Sequence, residues 1–219
     1  MTILEYKPGD IVIFCDTGRE HPKTHKFLND FESYENIPIV RLSYEGGFTA
    51  LIEKRKALPN IMMRFCTIEL KIKTARRYLR SLGYMGYINF VGFRADEQQR
   101  INRRKKMWQQ VTDKYTLNDL GIDKNGVLEY WKTKPYDLET PSILGNCDLC
   151  FLKGKAAIIS ILREQPELAD KWIDDENKIG ATYIKGVSYT QLLEASKIPI
   201  KKQYNLFDIE PSFNCACTS

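Results

Sequence analysis

The sequence predicts an open α/β fold, a mostly parallel sheet flanked by helices and followed by a helical C-terminal part. Three observations carry this. Ile11 to Cys15 is an apolar run without polar alternation, the signature of a strand buried on both faces between helices. It stops at the polar turn Asp16-Thr17-Gly18, and a helical pattern leads from there to a second apolar strand, Ile37 to Leu42. A third strand, Tyr87 to Gly92, is reached through another helix. Residues 1–100 are read as the sheet-bearing core and 101–219 as a helical and loop-rich part carrying cysteine motifs.

Taken in order, residues 1 to 9 read as the tail of a helix ended by Pro8-Gly9. The first strand follows, then a helix from Pro22 to Tyr34 with Phe27, Leu28 and Phe31 on its apolar stripe. Gly46-Gly47 opens a short helix that ends near Pro59. From Arg64 to Gly83 the residues Ile68, Ile72, Ala75, Leu79 and Leu82 share one helical face, and Thr67 stands where an N-cap would. Residues 101 to 127 are polar, with Leu117 to Gly126 suggesting a loop excursion or small hairpin. The aromatic stretch Glu129 to Leu138 reads as core packing. Helices are expected over Lys155 to Asp175, broken at Pro166, and over Ser188 to Ser196.

The chain of 219 residues is 43% hydrophobic, enough for a full core in one elaborated domain or in one domain plus a helical appendage. No stretch is long and apolar enough to cross a membrane, and the first residues lack a signal-peptide pattern, so no membrane and a cytoplasmic location are expected. The net charge of +5 gathers in Lys71 to Arg80 and in Arg100 to Lys106. Such clusters suit an anionic ligand, nucleic acid included, although a solvated helix face explains most of them.

Ligands of open α/β sheets sit beyond the carboxyl ends of the strands, which places Asp16, Thr17 and Gly18 where one would bind. The plainer alternative is a helix-capping turn in which Gly18 supplies a positive φ. Arg64, Cys66 and Lys71 gather at a helix N-terminus that favours an anion or a thiolate. Arg94 and Arg100 follow the third strand and suit phosphate or sulfate recognition.

Six cysteines in a reducing compartment are candidate metal ligands rather than disulfides. Cys147-x-x-Cys150 has metal-ligand spacing, Cys215-x-Cys217 would bring the sulfurs to the four that complete a zinc site or hold an iron–sulfur cluster, and Cys66 is a fifth candidate. Cys15 reads as a small buried hydrophobe, and Cys66 and the last two cysteines have equally bland readings.

With these residues assembled, the chain resembles the phosphoadenosine phosphosulfate (PAPS) reductase family of the adenine-nucleotide alpha-hydrolase-like, or PP-loop, superfamily. The strand-end motif D-T-G-x-E-x-P-x-T is met by Asp16, Thr17, Gly18, Glu20, Pro22 and Thr24; C-T-x-x-x-K by Cys66, Thr67 and Lys71; and G-x-R-x-x-E/D-x-x-R by Gly92, Arg94, Glu97 and Arg100. The resemblance implies a Rossmann-like (HUP-type) sheet binding ATP or PAPS, with Mg accompanying a bound nucleotide. Asp16, Thr17, Gly18, Glu20, Arg64, Lys71, Arg94 and Arg100 would be its nucleotide and anion contacts. Thr17 would act through its side chain and Gly18 through its backbone.

The resemblance to cluster-bearing relatives implies a [4Fe-4S] cluster or zinc on Cys66, Cys147, Cys150 and Cys217, with Phe65 where a second paired cysteine would stand. Relatives begin with a strand and an S-G-G-x-D/T-S phosphate loop that this sequence lacks, so the expected sheet is without its first strand and two strand edges go unpaired. The E-C-G-x-H tail of sulfonucleotide reductases is also absent; the sequence here is Asn214-Cys-Ala-Cys217. The implied function is adenine-nucleotide or sulfonucleotide binding, with sulfur transfer or ATP alpha-beta cleavage only if an upstream phosphate loop is restored. The alternatives are a non-catalytic, metal-stabilised binding module and a nucleic-acid-binding protein; a homo-oligomer is a further expectation.

Overall fold

The computed structural model describes residues 5–104, 108–140, 145 and 147–199. β1 (Val12–Asp16) enters α1 (Pro22–Glu35), which returns to β2 (Ile39–Ser43), paired parallel to β1 with Asp16 beside Ser43. His21 caps α1, its Nδ1 accepting from Lys23 N at 3.2 Å, and Pro22 opens the helix. Phe27, Leu28 and Phe31 turn toward Ile37, Ile39, Trp131 and Tyr136 in one apolar cluster, as their helical spacing requires.

A second parallel pair joins β3 (Tyr87–Phe90) to β4 (Val111–Lys114). The sheet is therefore divided into two two-stranded parallel pieces among the described residues. Unpaired edges bear on burial. β1, expected to be covered on both faces, is half-buried at every position, because a strand bonded along one edge lacks the neighbour that would close its other side. Ile88 of β3 is likewise exposed.

α2 (Gly47–Arg55) starts where Gly46-Gly47 predicts. The next segment departs from expectation in two ways. Thr67 is not an N-cap: Cys66 already has helical angles, and Thr67 is a buried residue inside the helix. Residues Thr67–Ile72 then form a π-helix, with Lys73 N donating to Ile68 O and Thr74 Oγ1 to Glu69 O at 2.9 Å, before α3 (Lys73–Ser81) resumes the α form. The wider turn shifts the phase of the apolar stripe. Thr67, Leu70, Thr74 and Leu79 are buried, whereas Leu82, on the stripe that a regular helix would give, is exposed.

After β3, a short 3-10 turn (Ala95–Glu97) leads into α4 (Gln98–Arg103). The polar residues after α4 hold the parallel strand β4, and Leu117 to Gly126, expected as a loop excursion or small hairpin, fall in α5 (Thr116–Asp119), a turn and the start of α6 (Lys124–Lys132). Trp131 and Tyr136 pack on Phe27, as core aromatics do.

The C-terminal part is α7 (Lys155–Glu164), a 3-10 turn at Pro166–Ala169, α8 (Asp170–Ile179) and α9 (Tyr189–Lys197). Ser188 caps α9 in a reciprocal box with Gln191. These helices pack with α2, Leu70 and the Cys147–Cys150 turn into the larger core, centred on Trp172, Tyr183 and Tyr189. No described helix is long and apolar enough to cross a membrane.

Candidate functional site

The first strand end is organised around a carboxylate. Glu20, with its side chain 3% exposed, accepts from Thr17 N (2.9 Å), from Thr17 Oγ1 (2.9 and 2.8 Å) and from Arg19 N (3.2 Å). Lys71 Nζ lies 3.5 Å from its Oε1. A buried carboxylate needs this number of donors to offset its lost hydration. Thr17, expected to meet a nucleotide with its side chain, thus commits both hydroxyl and amide to Glu20. The groups presented outward are Gly18, exposed at φ 73, whose N–H is held by Asp16 Oδ1 at 2.7 Å, and Asp16 itself, with His25 Nε2 3.8 Å from its Oδ2.

The π-helix brings its own groups to this turn. Lys71 carries its ammonium to Glu20, and its carbonyl lies 3.4 Å from the thiol of Cys15, which is half-buried rather than a plain core residue. Arg64 O accepts from Thr67 N, and the charges of Arg64 and Lys71 both act on Cys66. Burial pushes the Cys66 thiol up all the same, outweighing the Thr67 N–H and both cations, so the protein alone favours a thiol there rather than the expected thiolate.

Cys147 reaches the same place from the other side. Its backbone forms an antiparallel bridge with Glu20, its sulfur lies 3.7 Å from Thr17 Oγ1, and Asp148 N donates to Arg19 O at 2.8 Å. Cys150 closes the turn, its N–H donating to Cys147 O at 3.3 Å. Cys66 and Cys147 both pack against the larger core. Among the described residues no three His, Cys, Asp or Glu side chains are grouped closely enough to hold a metal ion; Cys217, with Cys215, lies outside the described residues.

The second strand end repeats the carboxylate device. Glu97, with its side chain 5% exposed, accepts from Arg94 N at 3.1 Å and pairs with Arg94 Nη1 at 3.6 Å and with Arg100 Nη1. Arg94 also grips Asp96 through Nε and Nη2 at 2.9 and 3.0 Å, which holds the Asp96 carboxyl below its usual range. Arg100 lies over the buried ring of Phe93 at 4.3 Å. Asp16, Thr17, Gly18, Glu20, Lys71 and Cys147 thus form one network and Arg94, Glu97 and Arg100 another.

Sequence reasoning missed Arg19. It is 4% exposed, its Nη2 pairs with Asp175 Oδ2 at 2.5 Å, and its guanidinium packs on the adjacent rings of Phe48 and Trp172 at 5.1 and 5.3 Å from their centroids. An arginine beside a strand-end motif is ordinarily a surface residue, and its partner on α8 is too distant in sequence to be read.

Two parallel strand ends, each with a buried glutamate folding a turn that carries polar and cationic groups, define an α/β domain of nucleotide-binding fold. The chain belongs to the phosphoadenosine phosphosulfate reductase domain family, whose model matches residues 1–122, and with it to the PP-loop superfamily. It is similar to an uncharacterized nin region protein of Escherichia phage lambda, 27% identical over 172 residues, which are 67% of this chain and 57% of that one. It is also similar to an uncharacterized protein of Methanocaldococcus jannaschii, 25% identical over 187 residues, 80% of this chain and 38% of the other. The chain thus spans about half the length of these relatives, or less. No solved structure matches it significantly.

Proposed function

We propose that the ends of β1 and β3 bind an adenine nucleotide or sulfonucleotide. The observation that carries this reading is that the cationic groups expected to meet an anion, Lys71 and the Arg94–Arg100 pair, are each docked on a buried glutamate at the carboxyl end of a parallel strand. Such docking fixes a cation in place before ligand arrives, so less side-chain freedom is lost on binding. In this reading Glu20 and Glu97 organise the turns without touching ligand. Asp16 and the Gly18 backbone meet the nucleotide, and Lys71, Arg94 and Arg100 neutralise its phosphate or sulfate with Arg64 assisting. Sulfur transfer or alpha-beta cleavage of ATP becomes available where a phosphate loop and Mg accompany these strand ends.

Isothermal titration of ATP and PAPS into the full chain, purified anaerobically, tests this. Micromolar binding that weakens about tenfold or more in Arg94→Ala supports it, the size expected for a charge-assisted contact. Absence of binding to well-folded protein sinks it, and leaves the reading of a non-catalytic module.

Nucleic acid as a partner has one observation in its favour: Lys73, Arg77 and Arg80 are exposed on one face of α3 at helical spacing. Trp108, near the basic Arg100 to Lys106 stretch, has Arg76 over its ring at 4.1 Å, and Lys105 and Lys106 lie outside the described residues. Affinity for an oligonucleotide that falls linearly with the logarithm of salt concentration, and less steeply in Arg77→Ala/Arg80→Ala, would support that reading.

A further inference from the structure

Cys147 and Cys150 take no part in the nucleotide reading. We infer that they are a dithiol that closes reversibly to a disulfide by exchange with a small disulfide of the glutathione class, and that closure changes the hydrogen bonding of Thr17 in the turn after β1. The inference is independent of nucleotide binding, since the pair needs no bound ligand to react.

Two observations carry it. The first is the shape of the segment. Cys150 N donates to Cys147 O at 3.3 Å, which closes a four-residue turn. Such a turn brings its first and fourth Cα atoms within about 7 Å, and a disulfide spans Cα separations of about 4.4–6.8 Å. Both residues are thiols in this structure. The residues between them are clamped: the buried Asp148 accepts from Leu149 N at 2.6 Å and from Trp172 Nε1 at 2.8 Å, and Tyr189 OH donates to Leu149 O. Two sulfurs on a backbone already fixed lose little freedom when they join.

The second is the place of Cys147. Its backbone bridges Glu20, and its sulfur lies 3.7 Å from Thr17 Oγ1. The one hydroxyl hydrogen of Thr17 goes to the Glu20 carboxylate, whose oxygens stand at 2.8 and 2.9 Å, so the thiol hydrogen of Cys147 is the one directed at Thr17 Oγ1. A disulfide has no such hydrogen. Oxidation therefore removes a donor from Thr17 and draws the sulfur toward Cys150.

Exposure sets the order of events. Cys147 is half-buried and Cys150 is 4% exposed. The Cys147 thiolate attacks one sulfur of glutathione disulfide, forming a mixed disulfide and releasing one glutathione thiolate. The Cys150 thiolate then attacks the Cys147 sulfur; the S–S bond within the turn forms and the second glutathione thiolate leaves. The two cysteines give up two electrons and two protons, and one glutathione disulfide becomes two glutathiones.

The test equilibrates the full chain, purified with reductant, in glutathione buffers of rising disulfide fraction under nitrogen at neutral pH. After an acid quench, the remaining thiols are labelled with N-ethylmaleimide and located by peptide mass spectrometry. The labels at Cys147 and Cys150 are expected to be lost together, with a Cys147–Cys150 linked peptide in their place and full recovery in dithiothreitol. Cys150→Ser should stop at one glutathione on Cys147. In the 15N-labelled wild type, the amide signals of Thr17 and Glu20 should differ between the two forms.

Four outcomes overturn the inference. They are retention of both labels at the highest disulfide fraction, pairing of either residue with another cysteine instead, co-purified zinc or iron that shields both thiols, and Thr17 and Glu20 signals indifferent to oxidation. Loss of ATP binding in Arg94→Ala bears on the nucleotide reading alone and leaves the labelling pattern unchanged.

Discussion

Arg19 and Asp175 stand 156 positions apart and meet at 2.5 Å, at 4% and 2% exposure, so the turn after β1 is locked to α8 through the interior. The pair is not alone: Tyr183 OH and Thr49 Oγ1 also donate to Asp175, and burial with the nearby carboxylate pushes the Tyr183 hydroxyl up. Removing one member leaves a buried charge unpaired, whereas removing both does not. Asp175→Ala is therefore expected to cost about 3–5 kcal/mol in urea denaturation. Arg19→Met/Asp175→Leu should cost less than Asp175→Ala. Equal losses in the two variants would show that the ion pair itself, and not the stranded charge, sets the stability.

Glu20 gives a second prediction. It receives three kinds of donor from a four-residue turn, and its position places Thr17 and Lys71. Glu20→Ala strands the Thr17 amide and hydroxyl, at about 1–3 kcal/mol for each buried donor left unsatisfied. Nucleotide affinity is expected to fall with it, although Glu20 touches no ligand in this reading. Thermal melts and ATP titration of the same variant check both halves; full affinity in a destabilised protein would remove Glu20 from the site's support.

A pH dependence follows from β4. Asp113 accepts from Asn89 Nδ2 at 2.8 Å across the β3–β4 pair and from Arg104 Nε at 2.5 Å. Burial pushes its carboxyl up, but Arg104 and Asn89 together outweigh burial and hold it below its ordinary value. A carboxylate lowered in the folded state contributes stability above its unfolded pKa and loses it as pH falls through the folded one. Melting temperature should thus drop on acidification below about pH 4. Asp113→Asn should flatten that part of the profile while lowering stability at neutral pH. An unchanged acid limb in Asp113→Asn would assign acid sensitivity to other carboxylates.

What could be read from the sequence is what depends on local pattern. Pro22 at a helix start, Phe27, Leu28 and Phe31 at helical spacing, Ser188 before Gln191 and the break at Pro166 all act within a few residues, and the structure follows them. The family motifs were legible for the same reason, since each is one contiguous turn. The Arg19–Asp175 lock was not, because it joins the ends of two elements with no shared pattern. Nor was β4, whose Val111-Thr-Asp-Lys114 is too polar and short to announce a strand and owes its place to Tyr87–Phe90 alongside. The inward turn of Thr17 escaped too: a hydroxyl in a motif does not say which way it points.

The π-helix is where local pattern misled and where function can be tested most directly. A regular α-helix from Thr67 to Ser81 would set Ile68, Ile72, Ala75, Leu79 and Leu82 on one face, yet the protein buries Thr67, Leu70 and Thr74 instead. One extra residue in a turn is difficult to see in a sequence, because every residue in Thr67–Ile72 is an ordinary helix former apart from Thr67. Its consequence is positional. It presents the ammonium of Lys71 to Glu20 and the carbonyl of Lys71 to Cys15, while α3 keeps Leu79 in the core. Deleting Ile72 should let the segment close into a continuous α-helix, turning Lys71 and Cys66 by about 100° relative to α3. Helix content by circular dichroism is then expected to be retained, whereas ATP or PAPS affinity falls about tenfold or more through loss of the Lys71 contact. Binding that survives the deletion would mean that Lys71 is not part of the anion site.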